Sequence, residues 1–199
     1  MYPAFLKLHG RKVLLVGGGR VAAGKLRGLL EEGARVTVVA PEIRSELLMP
    51  GVVLERREFV ERDLDGAWYV VAAAPAPVNR RVREAAERLR VFVNAVDDPS
   101  NATAYAGGVV RRSGVTLAIS TDGRAPALAG LLREALDAWL PSDLDEWMSR
   151  ADELRQTWKR NGVPMEARRP QLLEVLNELY ERRTDSVGRA CFRGPAELT

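Results

Sequence analysis

Cysteine and histidine are nearly absent from this 199-residue chain, which contains one of each, Cys191 and His9. A single cysteine cannot form an internal disulfide, and one cysteine with one histidine cannot supply the ligands of the usual zinc sites. A lone histidine near the N-terminus also disfavours a serine–histidine mechanism, and the chain has no G-x-S-x-G motif. We therefore predict no metal ligands and no histidine-dependent hydrolase.

Long apolar runs and aromatic residues are also scarce. No run approaches the roughly 18 residues that a membrane-spanning helix needs, and the stretch Met1–His9 has no apolar core of the kind found in a signal peptide. Aromatic residues make up 6% of the chain, and no basic stretch alternates with aromatics as in a single-strand binder. We therefore expect an unexported, cytoplasmic protein that binds neither membranes nor nucleic acid.

Lysine is scarce as well, because it accounts for only four of the 30 basic residues and the others are arginine. Arginine's planar, permanently charged fork suits bidentate capture of carboxylates and phosphates, so a polyanionic small molecule would fit this composition. A solvated, arginine-rich surface explains the same numbers equally well. The formal net charge is +3.

The clearest pattern lies between residues 12 and 39. Lys12–Val16 is a short apolar strand, a glycine-rich turn and an amphipathic helix closed by Gly33 follow, and Arg35–Val39 is the next strand. Strands that are continuously apolar are typical of a parallel sheet covered on both faces. The alternation continues with strands at 52–55, 68–72 and 91–96 and a helix at 77–90. These elements predict an α/β fold, a Rossmann-type doubly wound parallel sheet over residues 1–106.

The pattern changes after residue 106. Two strands joined at Arg112-Ser113-Gly114 predict a hairpin, and a helix follows at 125–140. We predict a small α+β segment over 107–140 and a helical C-terminal part over 141–199. The helices of that last part are placed at 144–160 and 169–182, with a frayed tail at 184–199.

The sequence Gly17-x-Gly19-x-x-Ala22 matches the dinucleotide-binding fingerprint in the required context, after a strand and opening a helix. Glycines there permit close approach of a pyrophosphate, and the helix N-terminus offers amide donors; a purely structural glycine turn is the less favoured alternative. The second strand ends without an acidic residue, and Glu42 is the only nearby carboxylate. Arg44 is close to Glu42 in the sequence, but no cluster of basic residues is present there to bind a 2′-phosphate. The pattern favours NAD over NADP.

Two further segments could carry chemistry. Asp97 and Asp98 follow the fifth strand directly, at the edge where open α/β sheets bind ligands, although a turn before Pro99 explains them more readily. Ser120–Arg124 leads from a strand into a helix and could hold an anion. A plain capping loop explains that second segment equally well.

With these segments identified, the chain resembles the precorrin-2 dehydrogenase family, which includes the N-terminal module of siroheme synthases. Four motifs, in order over about the first 140 residues, carry the resemblance: Leu15–Ala22 with Lys25, Ala34–Glu42, Val93–Pro99, and Leu117–Pro126 with Leu131–Glu134.

The resemblance implies NAD-dependent oxidation of precorrin-2, a polycarboxylate tetrapyrrole, to sirohydrochlorin in sirohaem biosynthesis. It also implies a homodimer in which 107–140 is a dimerisation segment exchanged between subunits. Asp97, in the N-x-V-D motif, would be the general base or an orienting carboxylate. The family's NAD contacts fall on Gly17, Gly18, Gly19, Arg20, Val21, Pro41 and Glu42, and substrate contacts are expected at Ser120, Thr121 and Arg124.

Two alternatives stay open at this point. Some family members also insert iron into sirohydrochlorin, apparently with the same aspartate, so the chain could be bifunctional. A non-catalytic NAD-sensing module would need the glycine loop but would have no use for Asp97. The segments Ala73–Pro77 and Thr121-Asp122 depart from the family's common pattern, which affects individual contacts rather than the fold.

Overall fold

The computed structural model describes residues 2–186, with side chains described as far as Leu179. The elements, in chain order, are β1 (Lys12–Val16), α1 (Arg20–Glu31), β2 (Arg35–Val39), β3 (Val53–Glu55), β4 (Tyr69–Ala72), α2 (Ala76–Arg88), β5 (Phe92–Ala95), β6 (Gly108–Arg112), β7 (Val115–Ile119), α3 (Pro126–Trp139), α4 (Leu144–Arg160) and α5 (Met165–Ser186). Short 3-10 helices lie at Ser45–Leu47, Glu61–Leu64 and Pro99–Asn101.

The first five strands form one parallel sheet in the order β3-β2-β1-β4-β5. Strand β1 lies in the middle, with Val13 opposite Val36 on one side and opposite Tyr69 on the other. The direction of strand addition reverses between β1 and β4, which is the switch point beside which doubly wound sheets bind ligands. The predicted Rossmann-type sheet is confirmed.

The central strand is apolar throughout because both of its faces are covered. Val13 and Leu15 pack into the cluster that includes α1, and Leu14 and Val16 pack into the cluster that includes α2. Successive side chains of a strand point to opposite faces, so each residue of β1 meets a helix layer. This packing fixes the carboxyl ends of the strands, where the glycine-rich turn begins.

The chain divides into two compact units. The first comprises the residues up to Gly108 together with Ile119–Leu132, and the second comprises Val109–Ala118 and the chain from Arg133 onward. In the second unit Val110, Leu140 and Leu144 form a small core. The guanidinium of Arg112 donates to Asp137 Oδ1 at 2.6 Å and to the Leu140 carbonyl at 3.0 Å, which ties the hairpin to the end of α3. The three-part division at 106 and 140 stays a prediction.

Three predicted boundaries are wrong, the third of them at the start of the C-terminal tail. The first hairpin strand starts at Gly108 rather than near 104, because the amides of Thr103 and Ala104 both donate to the Val93 carbonyl of β5. Helix α5 begins at Met165 and contains Pro170, so the proline does not set its start. Pro170 is the sixth residue of the helix, where a proline gives up the hydrogen bond to the carbonyl of Glu166.

The C-terminal tail was expected to begin at Thr184, but Thr184–Ser186 are helical. The remainder of the predicted tail, with Cys191, lies outside the described residues. Within the part of the chain that the structure describes, no helix is both long and apolar enough to cross a membrane.

Candidate functional site

Two cavities open at the carboxyl ends of the parallel strands, and all of their lining residues belong to the first unit. The glycine-loop cavity has a volume of about 700 Å³ and lies at the ends of β1, β2 and β4; its lining is Val16–Gly19, Val39–Glu42, Glu58, Phe59, Ala73–Pro75, Val78 and Arg81. The Asp97 cavity has a volume of about 520 Å³ and lies at the end of β5; its lining is Lys25, Asn94–Pro99, Tyr105–Gly108, Ile119–Thr121, Gly123, Pro126, Ala129 and Gly130.

The first two glycines of the loop are required by the protein itself. Gly17 has φ +130°, and a Cβ there would collide with the carbonyl oxygen of Ala73. A Cβ on Gly18 would collide with the carbonyl of Glu42. The loop is held in place by two backbone hydrogen bonds, from Gly17 N to Val39 O and from Arg44 N to Gly18 O, each 3.0 Å long.

Gly19 differs from its neighbours because nothing in the protein requires a glycine there. No heavy atom lies within 4 Å of the position that its Cβ would occupy, and its φ of −90° suits any residue. Gly19 lines the glycine-loop cavity and caps α1, whose first-turn amides have no partner within the helix. Open space over a helix N-terminus is the arrangement that a pyrophosphate requires, so the residues present fit a dinucleotide.

Only some of the other predicted cofactor contacts line the glycine-loop cavity; the rest lie on the exposed surface at its rim. Pro41 and Glu42 line the glycine-loop cavity, whereas Arg20 and Val21 are exposed on the first turn of α1 and are not among its lining residues. Arg44 is engaged elsewhere, because its Nη2 lies 2.9 Å from Oε1 of Glu46. Arg44 therefore has a carboxylate partner of its own in the structure.

Sequence reasoning missed one cation of this cavity, Arg81. It lies on the second turn of α2 and its Nη2 donates to the Phe59 carbonyl at 3.4 Å. The helix pattern around Val78 and Val82 indicates only that Arg81 points away from the buried face. Its place beside the glycine loop follows from the sheet topology, for which the sequence has no local signal.

An ion pair holds the segment that brings Glu58 and Phe59 to this cavity. Arg57 binds Asp63 through both carboxylate oxygens, at 2.9 and 2.6 Å, and the Val60 amide donates to Asp63 Oδ2 at 2.9 Å. Burial by itself would raise the pKa of the Asp63 carboxyl. The hydrogen bonds from Arg57 and Val60, with the charge of Arg57, outweigh burial and hold that pKa below its ordinary value.

Asp97 and Asp98 have different environments. Asp98 accepts hydrogen bonds from Asn101 Nδ2 at 2.8 Å, Ser100 Oγ at 2.9 Å and Asn79 Nδ2 at 3.3 Å. The bond from Asn101, and then those from Ser100 and Asn79, lower the pKa of Asp98 despite an opposing effect of desolvation. Asp98 is therefore occupied in shaping the turn.

Asp97 lines the cavity without taking part in the hydrogen bonds that hold Asp98. It is exposed and has a left-handed φ of +56°, a conformation that aspartate tolerates better than most residues. Among the described residues its carboxylate has no hydrogen-bond partner. Both aspartates line the cavity, and Asp97 is the one whose carboxylate is not bound by another described residue.

A chain of hydrogen bonds connects the walls of the two cavities. Asn79, which is 2% exposed on α2, accepts from the amide of Ala74 at 3.2 Å and donates to Asp98 at 3.3 Å. Ala74 lines the glycine-loop cavity and Asp98 lines the Asp97 cavity. The turn that carries Asp97 is thus fixed to the wall of the neighbouring cavity.

The predicted substrate contacts are only partly brought together. Ser120 and Thr121 line the Asp97 cavity, whereas Arg124 is exposed and is not among its lining residues. Ser120 Oγ accepts from the Asp122 amide at 3.1 Å, and Thr121 Oγ1 accepts from the Ala125 amide at 3.2 Å. The hydroxyls therefore cap the loop and keep a hydrogen each for donation into the cavity.

Lys25 is a second cation that sequence reasoning did not assign to a site. It lies on α1 and lines the Asp97 cavity, so this helix contributes a positive charge to the lining. Over residues 2–186 the structure contains no group of three or more histidine, cysteine, aspartate and glutamate side chains that could hold a metal ion.

Comparison with known proteins adds a family and several relatives. A family described as putative NAD(P)-binding matches residues 4–108. Siroheme synthase 3 of Aeromonas hydrophila is 41% identical over 197 residues, which cover 96% of this chain and 41% of that protein. Siroheme synthase of Citrobacter koseri is 38% identical over 202 residues, 99% of this chain and 44% of that protein. The chain therefore spans less than half the length of these curated relatives.

One solved structure matches over most of both chains. SirC, a precorrin-2 dehydrogenase, superimposes with a TM-score of 0.67 at 28% sequence identity, covering 88% of this chain and 89% of that chain. The match extends past the parallel sheet and confirms the predicted order of a Rossmann-type sheet, a two-stranded antiparallel sheet and C-terminal helices. The resemblance identified from the four motifs is confirmed.

Proposed function

The chain belongs to the putative NAD(P)-binding family, and we propose that it is a precorrin-2 dehydrogenase, which oxidises precorrin-2 to sirohydrochlorin with NAD as the acceptor. One observation carries the proposal: a single compact unit has a glycine-loop cavity at the ends of β1, β2 and β4 and a second cavity beside the unpaired carboxylate of Asp97. The siroheme synthase relatives and the SirC match support the choice of substrate.

The glycine-loop cavity would hold the dinucleotide. Gly19 and the first-turn amides of α1 would receive the pyrophosphate, while Pro41 and Glu42 would border the adenosine half. Arg20 and Val21 would contact it from the rim. Bound NAD supplies the acceptor for a hydride. Pairing of Arg44 with Glu46 leaves that arginine poorly placed for a 2′-phosphate, which supports NAD rather than NADP.

The reaction removes one hydride and one proton from the macrocycle. In the proposal Asp97 accepts the proton, because its carboxylate lines the cavity and is not engaged by another residue of the described chain. Asp98 holds the turn through its three hydrogen bonds, so Asp97 keeps its position as it gains and loses the proton. The Asp97 proton then passes to water, since this residue is exposed.

Three donors would bind the substrate's carboxylates. One cavity is lined by Ser120, Thr121 and Lys25. Their hydroxyl and ammonium groups can each donate a hydrogen bond to a carboxylate. Arg124 lies outside that lining and would reach a substrate carboxylate only at the rim.

A homodimer is part of the proposal. Helix α3 carries an apolar stripe whose exposed fractions are 49% at Leu128, 64% at Leu131 and 41% at Leu132. Large apolar side chains that recur at helical spacing on an exposed face are typical of a helix that packs against a partner. We propose that the segment 107–140 provides this contact with a second copy of the chain, in the cytoplasm.

The experiment is an anaerobic assay of the purified protein with precorrin-2 generated in situ, following NADH and the sirohydrochlorin spectrum. The proposal expects both products to appear together with NAD, and more slowly with NADP. Adding iron afterwards tests the bifunctional alternative, which requires conversion above the uncatalysed rate. NAD binding without turnover would contradict the proposal and favour the non-catalytic NAD-sensing module.

A further inference from the structure

The Asp97 cavity contains a buried hydrogen-bond acceptor that the protein leaves unsatisfied. Asn94 is the third residue of β5, is 6% exposed and lines this cavity. Its Oδ1 atom is buried and accepts no hydrogen bond from any residue that the structure describes. A buried carbonyl oxygen without a donor costs free energy, and because Asn94 belongs to the lining of this cavity, a ligand bound there is the candidate donor.

The orientation of the Asn94 amide is set by its other end. Nδ2 donates to the Ala104 carbonyl at 3.1 Å. Rotating the amide by half a turn would place Oδ1 against the Ala104 oxygen, so that two acceptors would face each other. Oδ1 therefore remains the unsatisfied atom, and its missing partner must be a donor.

The same wall presents a second acceptor. The Asp97 carboxylate follows three residues later and has no partner among the described residues. A ligand carboxylate placed against these two side chains would meet two side-chain acceptors. Donors to carboxylates, including Lys25 and the hydroxyls of Ser120 and Thr121, belong to other parts of the lining.

We propose that Asn94 is a specificity-determining residue, which accepts a hydrogen bond through Oδ1 from an N–H donor of the ligand in the Asp97 cavity. The inference rests on the proposed function and deepens it, because the ring N–H groups of a metal-free tetrapyrrole are such donors. The carboxamide of nicotinamide offers the same chemistry. Asn94 and Asp97 together would then recognise the ring nitrogens, while the other donors recognise the carboxylate periphery.

The first arm of the test uses the unaltered protein. Metal-free sirohydrochlorin and its nickel(II) complex have the same outline and carboxylates, but nickel replaces the ring N–H protons and its square-planar geometry leaves little affinity for axial ligands. We expect the nickel complex to bind at least about tenfold more weakly, because the loss of one buried hydrogen bond lowers affinity by about that factor. Equal affinity for the two probes would overturn recognition of the ring N–H groups.

The second arm uses Asn94→Leu, which keeps the branched shape of the side chain but is larger and removes both Oδ1 and the Nδ2 donor to Ala104. Thr103→Val is the matched control, because Thr103 Oγ1 accepts from the Val93 amide at 2.8 Å and ties the same segment to β5 without lining the cavity. We expect Asn94→Leu to weaken sirohydrochlorin binding by about 10- to 100-fold and Thr103→Val to leave it within about twofold. Asn94→Ala replaces the leucine variant if the latter does not fold.

Binding of NADH, followed by fluorescence, distinguishes the two sources of the N–H donor. A loss of NADH affinity with unchanged sirohydrochlorin affinity would assign the donor to the carboxamide and overturn the assignment to the tetrapyrrole. Unchanged affinity for both ligands, or equal losses in the Asn94 and Thr103 variants, would overturn the role of Asn94 altogether.

Failure of the proposed function is separately visible. If the unaltered protein neither binds sirohydrochlorin nor reduces NAD with precorrin-2, the proposed function fails, and with it the assignment to ring N–H groups. If the unaltered protein and Asn94→Leu both turn over with the same kcat and KM, only the inference about Asn94 fails.

Discussion

Substitution of Gly18 and Gly19 by alanine should have opposite consequences, although the two residues are adjacent. At Gly18 the new methyl group would collide with the Glu42 carbonyl and approach the Ile43 backbone, neither of which is the end of a flexible side chain. Forcing a methyl group into packed backbone costs roughly 1–3 kcal/mol or more. We therefore expect Gly18→Ala to lower the free energy of unfolding by about 3 kcal/mol.

At Gly19 the methyl group would enter open space, and the backbone conformation suits alanine. The loss of a helix-capping glycine costs less than about 1 kcal/mol. The same space is where a pyrophosphate must approach the first turn of α1, so we expect Gly19→Ala to weaken NAD binding by about 10- to 100-fold, which corresponds to about 1.4–2.7 kcal/mol.

The measurements are urea unfolding and titration of NADH by fluorescence on each variant. Gly24→Ala is the control, since Gly24 is an exposed glycine on the same helix with nothing near its Cβ position. It should raise stability by up to about 1 kcal/mol and leave NADH binding unchanged. If Gly19→Ala binds NADH as tightly as the unaltered protein, the pyrophosphate does not lie over this turn and the reasoning is refuted.

Three further predictions concern the Asp97 turn, the ion pair and the dimer. Asp98→Ala should lower kcat by more than about tenfold while leaving the KM for NAD unchanged, because Asp97 loses its fixed turn. Asp63→Asn should lower the free energy of unfolding by about 2 kcal/mol at pH 7, since Arg57 loses its two-point ion pair and keeps only the exposed Glu55, at 3.4 Å. The Asp63 pKa is lowered in the folded state, so the stability it contributes is present above the unfolded pKa of about 4 and is lost as the pH falls through the folded value. Urea unfolding at pH 7 and pH 3 should therefore show a smaller difference from the unaltered protein at pH 3; an equal difference would contradict the pairing. Leu131→Arg should convert the dimer to a monomer by light scattering, and an unchanged mass would contradict the proposed contact.

The parallel sheet could be predicted from sequence because its signals are local. Strands β1 and β4 are nearly continuous apolar runs, and the glycine turn follows β1 immediately. The order of the strands follows from the crossover rules once the βαβ units are identified. Pro170 shows the limit of such local rules, since it lies inside α5, beyond the first turn in which a proline is normally tolerated.

The candidate site depended on contacts distant in sequence, which is why only part of it could be predicted. The choice between Asp97 and Asp98 depends on the side chains that bind Asp98, of which Asn79 is 19 positions away while Ser100 and Asn101 are close in the sequence. Arg81 and Lys25 reach the cavities through the arrangement of α2 and α1 around the sheet. Neither position has a distinguishing pattern in the sequence, because isolated arginines and lysines are common on exposed helix faces.

The most direct test of the account is single-turnover oxidation of precorrin-2 by Asp97→Asn, measured anaerobically beside the unaltered protein with saturating NAD. Asparagine keeps the size of the side chain and the turn but cannot take up the proton. The account predicts a rate at least about 100-fold lower, the scale of a positioned general base, with NADH affinity unchanged. Oxidation by Asp97→Asn at nearly the unaltered rate would contradict it.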